Sequence, residues 1–177
     1  MSLEPQAGGS AKLLVGPAGM AVSANPDALL FTSPLGACLG VAVYDPATKV
    51  GGLMHSLLPD SSLDPQRAAQ RPGMFLDTGL AALLSGVREL RAKAENLQVY
   101  VAGGAQILDD SSVFDIGKIQ ADSLTRLLGQ LGFEIYAQSL GGRTNCSMEL
   151  ALATGDVRLR YCGESTTTRL CRRSKTT

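Results

Sequence analysis

The feature that most limits what this chain can fold into is a strand–turn–strand run from Phe31 to Pro59, F-T-S-P-L-G-A-C-L-G-V-A-V-Y-D-P-A-T-K-V-G-G-L-M-H-S-L-L-P. Leu39, Val41 and Val43 alternate with Gly40, Ala42 and Tyr44, the period of a half-buried strand. D-P-A-T-K supplies turn chemistry, and V-G-G-L-M-H resumes an extended run. A loop of Asp45 to Thr48 sets Tyr44 opposite Lys49. Counting outward then places Ala42 opposite Gly51, Gly40 opposite Leu53, and Cys38 opposite His55. Directly opposed residues carry Cβ atoms about 4.5–5.5 Å apart, close enough for a nucleophile and its base. A one-residue slip would send them to opposite faces, so the pairing depends on the turn.

His55 is the only histidine in 177 residues. On residue type alone, a cysteine in a strand also reads as a small core hydrophobe, and a lone histidine as a structural hydrogen-bonder. Gly36 stands just before the cysteine, at a loop-to-strand junction where backbone amides can be exposed. The other cysteines, Cys146, Cys162 and Cys171, form no C-x-x-C pair with each other or with Cys38. Cys38, His55, Cys146 and Cys162 could in principle hold zinc, but their spacing lacks a metal knuckle. Free thiols fit a reducing compartment.

The body is globular: 45% of residues are hydrophobic and 18% charged. Its length is that of one domain. Zero formal net charge argues against nucleic acid as the main partner. No apolar stretch approaches the roughly 20 residues of a membrane span, and M-S-L-E-P-Q-A-G-G-S has no signal-peptide pattern. A cytoplasmic protein is expected.

Residues 1–11 read as a flexible leader, 12–162 as the folded domain and 163–177 as a flexible basic tail. Lys12 to Val22 reads as two short strands broken at G-P-A-G, and Ala28 to Thr32 as another. D-S-S-L-D-P-Q-R offers a cap and an early proline for a short helical turn. Leu76, Leu80, Leu83, Leu84, Val87 and Leu90 mark one face of a helix ending near Ala94. Asp77, near its start, compensates the helix dipole. A strand over 98–102, a polar loop over 109–115, and a helix over 117–131 with Leu124, Leu127, Leu128 and Leu131 inward and a Gly132 cap follow. Phe133 to Leu140 is a strand, and Ser147–Ala153 with Val157–Cys162 a closing hairpin whose cysteines read as core. Many strands and two sizeable helices indicate α+β or α/β.

L-G-A-C-L-G-V-A-V-Y-D followed by G-G-L-M-H-S-L-L-P resembles the CheD family of chemoreceptor glutamine deamidases, including the seventeen-residue interval from Cys38 to His55. F-L-D-T-G-L, V-Y-V-A-G-G-A-Q-I-L, F-D-I-G-K-I-Q, S-L-G-G-R-T-N and A-T-G-D-V extend the likeness over roughly 12–162. The resemblance implies an α+β fold, a layered α-β-β-α sandwich like that of bacterial toxin-type cysteine deamidases. It implies Cys38 as nucleophile and His55 as base. Thr32, six positions before the cysteine, falls on the family's third site residue and would orient the imidazole; by residue type it is an ordinary strand-end threonine. Backbone N–H groups of Ala37 and Cys38 are the candidate oxyanion donors. No cofactor is implied. The partners implied are the cytoplasmic region of a chemoreceptor and a CheC-type phosphatase. Ala37 stands where members usually have Ser, Arg143 follows its Gly pair immediately, and Gln120 lies near a usual Asn. Two rival readings follow: an adaptor that keeps CheC-type binding without turnover, and a small-molecule amidase on the same fold.

Overall fold

The computed structural model describes residues 11–106 and 116–171; the polar loop expected over 109–115 and all but the last residue of the leader lie outside them. The strands are β1 (Lys12–Val15), β2 (Met20–Ser23), β3 (Leu29–Thr32), β4 (Leu39–Asp45), β5 (Val50–Ser56), β6 (Gln98–Gly103), β7 (Ile135–Leu140), β8 (Cys146–Ala151), β9 (Asp156–Tyr161) and β10 (Thr168–Arg169). The helices are α1 (Pro65–Gln70), α2 (Leu76–Glu89) and α3 (Ile116–Gln130).

Two five-stranded sheets stack, one ordered β1-β3-β8-β9-β10 and the other β2-β5-β4-β6-β7. Every residue of β4 and β5 is buried, so both faces of their sheet need cover. One face sets Ala42, Tyr44 and Leu53 against Leu30, Met148 and Leu150 of the first sheet. The other sets Val41, Val43 and Met54 against Leu76, Leu80 and Leu83 of α2 and Leu124 and Leu128 of α3. Each fully buried leucine contributes about 1.5–3 kcal/mol, so the leucine periodicity of α2 and α3 is what docks them.

The fold is an α+β sandwich, with both long helices on the outer face of the second sheet. In the first sheet β8 and β9 alternate, turning Met148, Leu150, Val157 and Leu159 inward and Glu149, Arg158 and Arg160 outward. A charged outer face is stable in water without a helix over it.

The hairpin register differs from the one read from the turn. Asp45 pairs with Val50 and Gly40 with His55, so the loop is Pro46–Lys49. Asp45 stays in the strand because its carboxylate accepts the N–H groups of Ala47, Thr48 and Lys93. Lys49, at φ 57°, closes the turn by donating its N–H to the Asp45 carbonyl. A turn held by its leading aspartate keeps that residue out of the loop.

Elsewhere the elements fall close to their expected bounds, except that α2 ends at Glu89 rather than near Ala94, the chain turning at Arg91 with φ 75°. Asp64 caps α1 by accepting the Arg67 N–H, with Pro65 in the first turn. Asp77 sits in the first turn of α2 and also accepts the Ser61 N–H, tying down a 3-10 turn at Ser61–Leu63. Gly132, at φ 77°, ends α3. Within the expected tail, β10 pairs with β9 at the sheet edge. Cys162, expected in the core, is exposed one residue past β9.

Candidate active site

β4 begins at Leu39, which leaves Cys38 on the bend that enters it. Four consecutive residues of this bend are tied into the protein through their carbonyls. Leu35 exchanges N–H and C=O bonds with Cys146; Gly36 O accepts from Ala105 N, and Cys38 O from Gly104 N. Ala37 O accepts from Gln120 Nε2 at 3.0 Å. These bonds hold the bend by its carbonyls. The N–H of Cys38 itself lies against its own sulfur.

Glycine permits this approach. Gly103 ends β6 at φ 110°, and a Cβ there would overlap the Cys38 carbonyl oxygen. Gly117, on the first turn of α3, packs directly on Gly104, which brings that helix up to the bend.

His55 lies near the end of β5 and is 1% exposed. It pairs with Gly40, whose open side faces Leu35 and Met148, so His55 stands on the face between the sheets. Its backbone is fixed on both sides, His55 N donating to Gly19 O and Ala18 N donating to His55 O. Its ring Nδ1 lies 3.3 Å from the Ser33 hydroxyl. Burial pushes the imidazole pKa below its ordinary 6.5, and a hydrogen bond to the Val15 backbone pulls partly back. Burial likewise raises the half-buried Cys38 thiol above its ordinary 9.0, with its own N–H opposing. Both shifts favour uncharged forms, a thiol and a neutral imidazole.

The register places Cys38 two positions beyond the residue that pairs with His55, rather than directly opposite it. Cys38 lies outside the ladder, on the bend just before its last pair, Leu39 with Ser56.

Thr32 is buried at the end of β3, where its hydroxyl accepts the Met148 N–H at 3.0 Å. The side chain facing the ring is that of the next residue, Ser33. Sequence reasoning passed over Ser33 and Val15; the polar pair Thr32-Ser33 before Pro34 was the available signal, while a backbone carbonyl leaves none. Cys146 lies in the inter-sheet core, its thiol pushed to about 11 by burial. Among the described residues no three His, Cys, Asp or Glu side chains cluster as metal ligands would. No helix of the described residues is long and apolar enough to cross a membrane.

Comparison with known proteins identifies the family. Residues 57–161 match the family model CheD, described as chemotactic sensory transduction. A "Probable chemoreceptor glutamine deamidase CheD" of Solibacter usitatus is 35% identical over 153 residues, covering 86% of this chain and 90% of that protein. A relative from Syntrophus aciditrophicus, "Probable chemoreceptor glutamine deamidase CheD 1", is 41% identical over 80% of this chain and 89% of its own. One from Pyrococcus abyssi is 38% identical over 76% of this chain and 82% of its own. The family match begins after Cys38 and His55, but a similarity spanning 86% of the chain has to include both.

Proposed function

Because the chain belongs to the CheD family, we propose that it hydrolyses glutamine side-chain amides of chemoreceptors to glutamate and ammonia. The observation that carries the reading is the half-buried Cys38, on a bend with its carbonyls tied inward, at the end of the strand pair that holds His55. An amide is a poor electrophile, so the reaction needs an activated nucleophile. His55, neutral at pH 7 by the direction of its shift, takes the Cys38 proton as sulfur attacks the amide carbon. The N–H groups of Ala37 and Cys38 hold the developing oxyanion. The imidazolium gives its proton to departing ammonia, leaving a γ-glutamyl thioester. Water then attacks the thioester with His55 as base, and glutamate leaves as the thiol is restored.

Thr32 is the third residue of this triad. With its hydroxyl engaged by Met148, it acts by holding the end of β3, so that Ser33 meets the ring. This chemistry asks for a thiol, an imidazole and water, and no cofactor. The substrate is the cytoplasmic region of a methyl-accepting chemotaxis protein, which places the enzyme in the cytoplasm, and a CheC-type phosphatase is its second partner.

Mass spectrometry of a receptor cytoplasmic fragment tests this. Wild type converts specific glutamines to glutamate, whereas Cys38→Ala and His55→Ala, both folded, do not. Persistent conversion by Cys38→Ala would reject the nucleophile. A wild type that binds a CheC-type protein but leaves receptor glutamines intact would make the chain an adaptor.

A further inference from the structure

The inward stripe of α3 runs Gly117, Gln120, Leu124 and Leu128, and its second member is a fully buried amide where an apolar side chain would fit the pattern. A buried amide is unfavourable unless its hydrogen bonds are made. Both Nε2 hydrogens of Gln120 are used, one on Ala37 O and one on Leu57 O, each at 3.0 Å. Its Oε1 is buried with no partner.

The two acceptors are informative. Ala37 immediately precedes Cys38, and Leu57 follows His55 by two residues. The ladder between β4 and β5 ends at Leu39 and Ser56. Beyond that pair no strand bond fixes the width between the two chains. The planar amide of Gln120 supplies the next cross-tie, from a third element. Retaining a carboxamide with an idle acceptor in a leucine stripe is a poor solution for packing alone. It is a good solution for holding two carbonyls at a set separation.

We propose that Gln120 is a positioning residue, which sets the spacing of Cys38 and His55 by clamping the Ala37 and Leu57 carbonyls. The inference rests on the reading of those two residues as nucleophile and base.

The test uses the full chain with Gln120→Met, which keeps the length and removes both donors, and Gln120→Asn, whose amide is one methylene short. Two quantities are read: kcat and KM on the receptor fragment, and the pH profile of Cys38 alkylation by iodoacetamide, followed on its own peptide. Both variants should melt cooperatively, lose about 10²-fold in kcat as misplaced reacting groups do, and keep KM within about twofold. The alkylation profile should lose the inflection that His55→Ala also removes. A purely structural role would lower the melting temperature and leave that profile in place, which overturns the proposal. So would wild-type kcat in a folded Gln120→Met, or failure of both variants to fold. A wild type inert on receptor glutamine would defeat the functional reading instead, and the alkylation profile would still decide the role of Gln120.

Discussion

Replacing Gly103 by alanine tests the central structural claim, that the Cys38 bend is fixed by close backbone approach. At φ 110° the position lies where an L-residue is strained, at about 1–3 kcal/mol. The new methyl would also overlap the Cys38 carbonyl oxygen and come within 3.3 Å of Leu35 Cβ. Neither neighbour is a side-chain tip that could swing away. Restoring an ordinary C···O contact of roughly 3.3–3.6 Å needs a shift of about 1 Å, and the bond from Gly104 N to Cys38 O, about 1 kcal/mol net, is weakened with it. The total is about 3 kcal/mol, or roughly 6–12 °C in melting temperature for a chain of this size. The displaced bend should also lower deamidation about 10²-fold. Gly129→Ala is the control. It lies in α3 with open space around it, so it should gain about 0.5–1 kcal/mol and leave activity alone. Differential scanning calorimetry and mass spectrometry of a receptor fragment read both effects. A Gly103→Ala protein that melts with the wild type and converts receptor glutamine at the same rate would refute the reasoning.

The shifts at the site give a pH dependence. Deamidation should fall as pH drops through the folded-state pKa of His55, below the ordinary 6.5, and a pH–rate profile with its acid limb above that value would contradict the burial argument. The same shift acts on stability: the unfolded chain binds the proton first, so stability declines as pH falls through 6.5 and levels off below the folded value. Denaturant titrations should show this decline in wild type and a smaller one in His55→Ala. Thr32→Val leaves the buried Met148 N–H without its acceptor and should lose about 1–3 kcal/mol of stability. Ser33→Ala frees the ring Nδ1 and should lower kcat with little change in melting temperature. Equal stability loss in the two variants would mean that the hydroxyls do not divide the work this way.

Much of the fold was legible because the side chains state their own periods. The leucines of α2 and α3 and the alternation in β8 and β9 are local patterns that settled into their elements, but Leu131, read as inward, is exposed, and β4, read as half-buried, is buried throughout. What local pattern does not carry is the layer an element joins. Both long helices lie on one sheet because β4 and β5 are apolar on both faces, while the first sheet turns charge outward. The partners of the site were hidden for a similar reason. Ser33 and Gln120 meet His55 and the cysteine bend from other elements, across 22 and 83 positions of sequence. No single-element period encodes a hydrogen bond of that reach.

The hairpin shows how one turn residue sets the register of two strands. Reading Asp45 into the loop moved the pairing by two positions, because the sequence shows an aspartate followed by proline but not which amides its carboxylate accepts. Side chains on a strand alternate with period two, so an even displacement returns every residue to its own face, and only an odd one exchanges faces. Cys38 therefore moves from a position opposite His55 to one beyond the last ladder pair, on the bend that enters β4. That places the thiol on a bend and leaves it half exposed while the imidazole stays sealed between the sheets. A nucleophile has to meet a protein-borne amide, and its base does not. Direct opposition within a fully buried ladder would have enclosed both groups, so the observed register is the one that fits an enzyme acting on another protein.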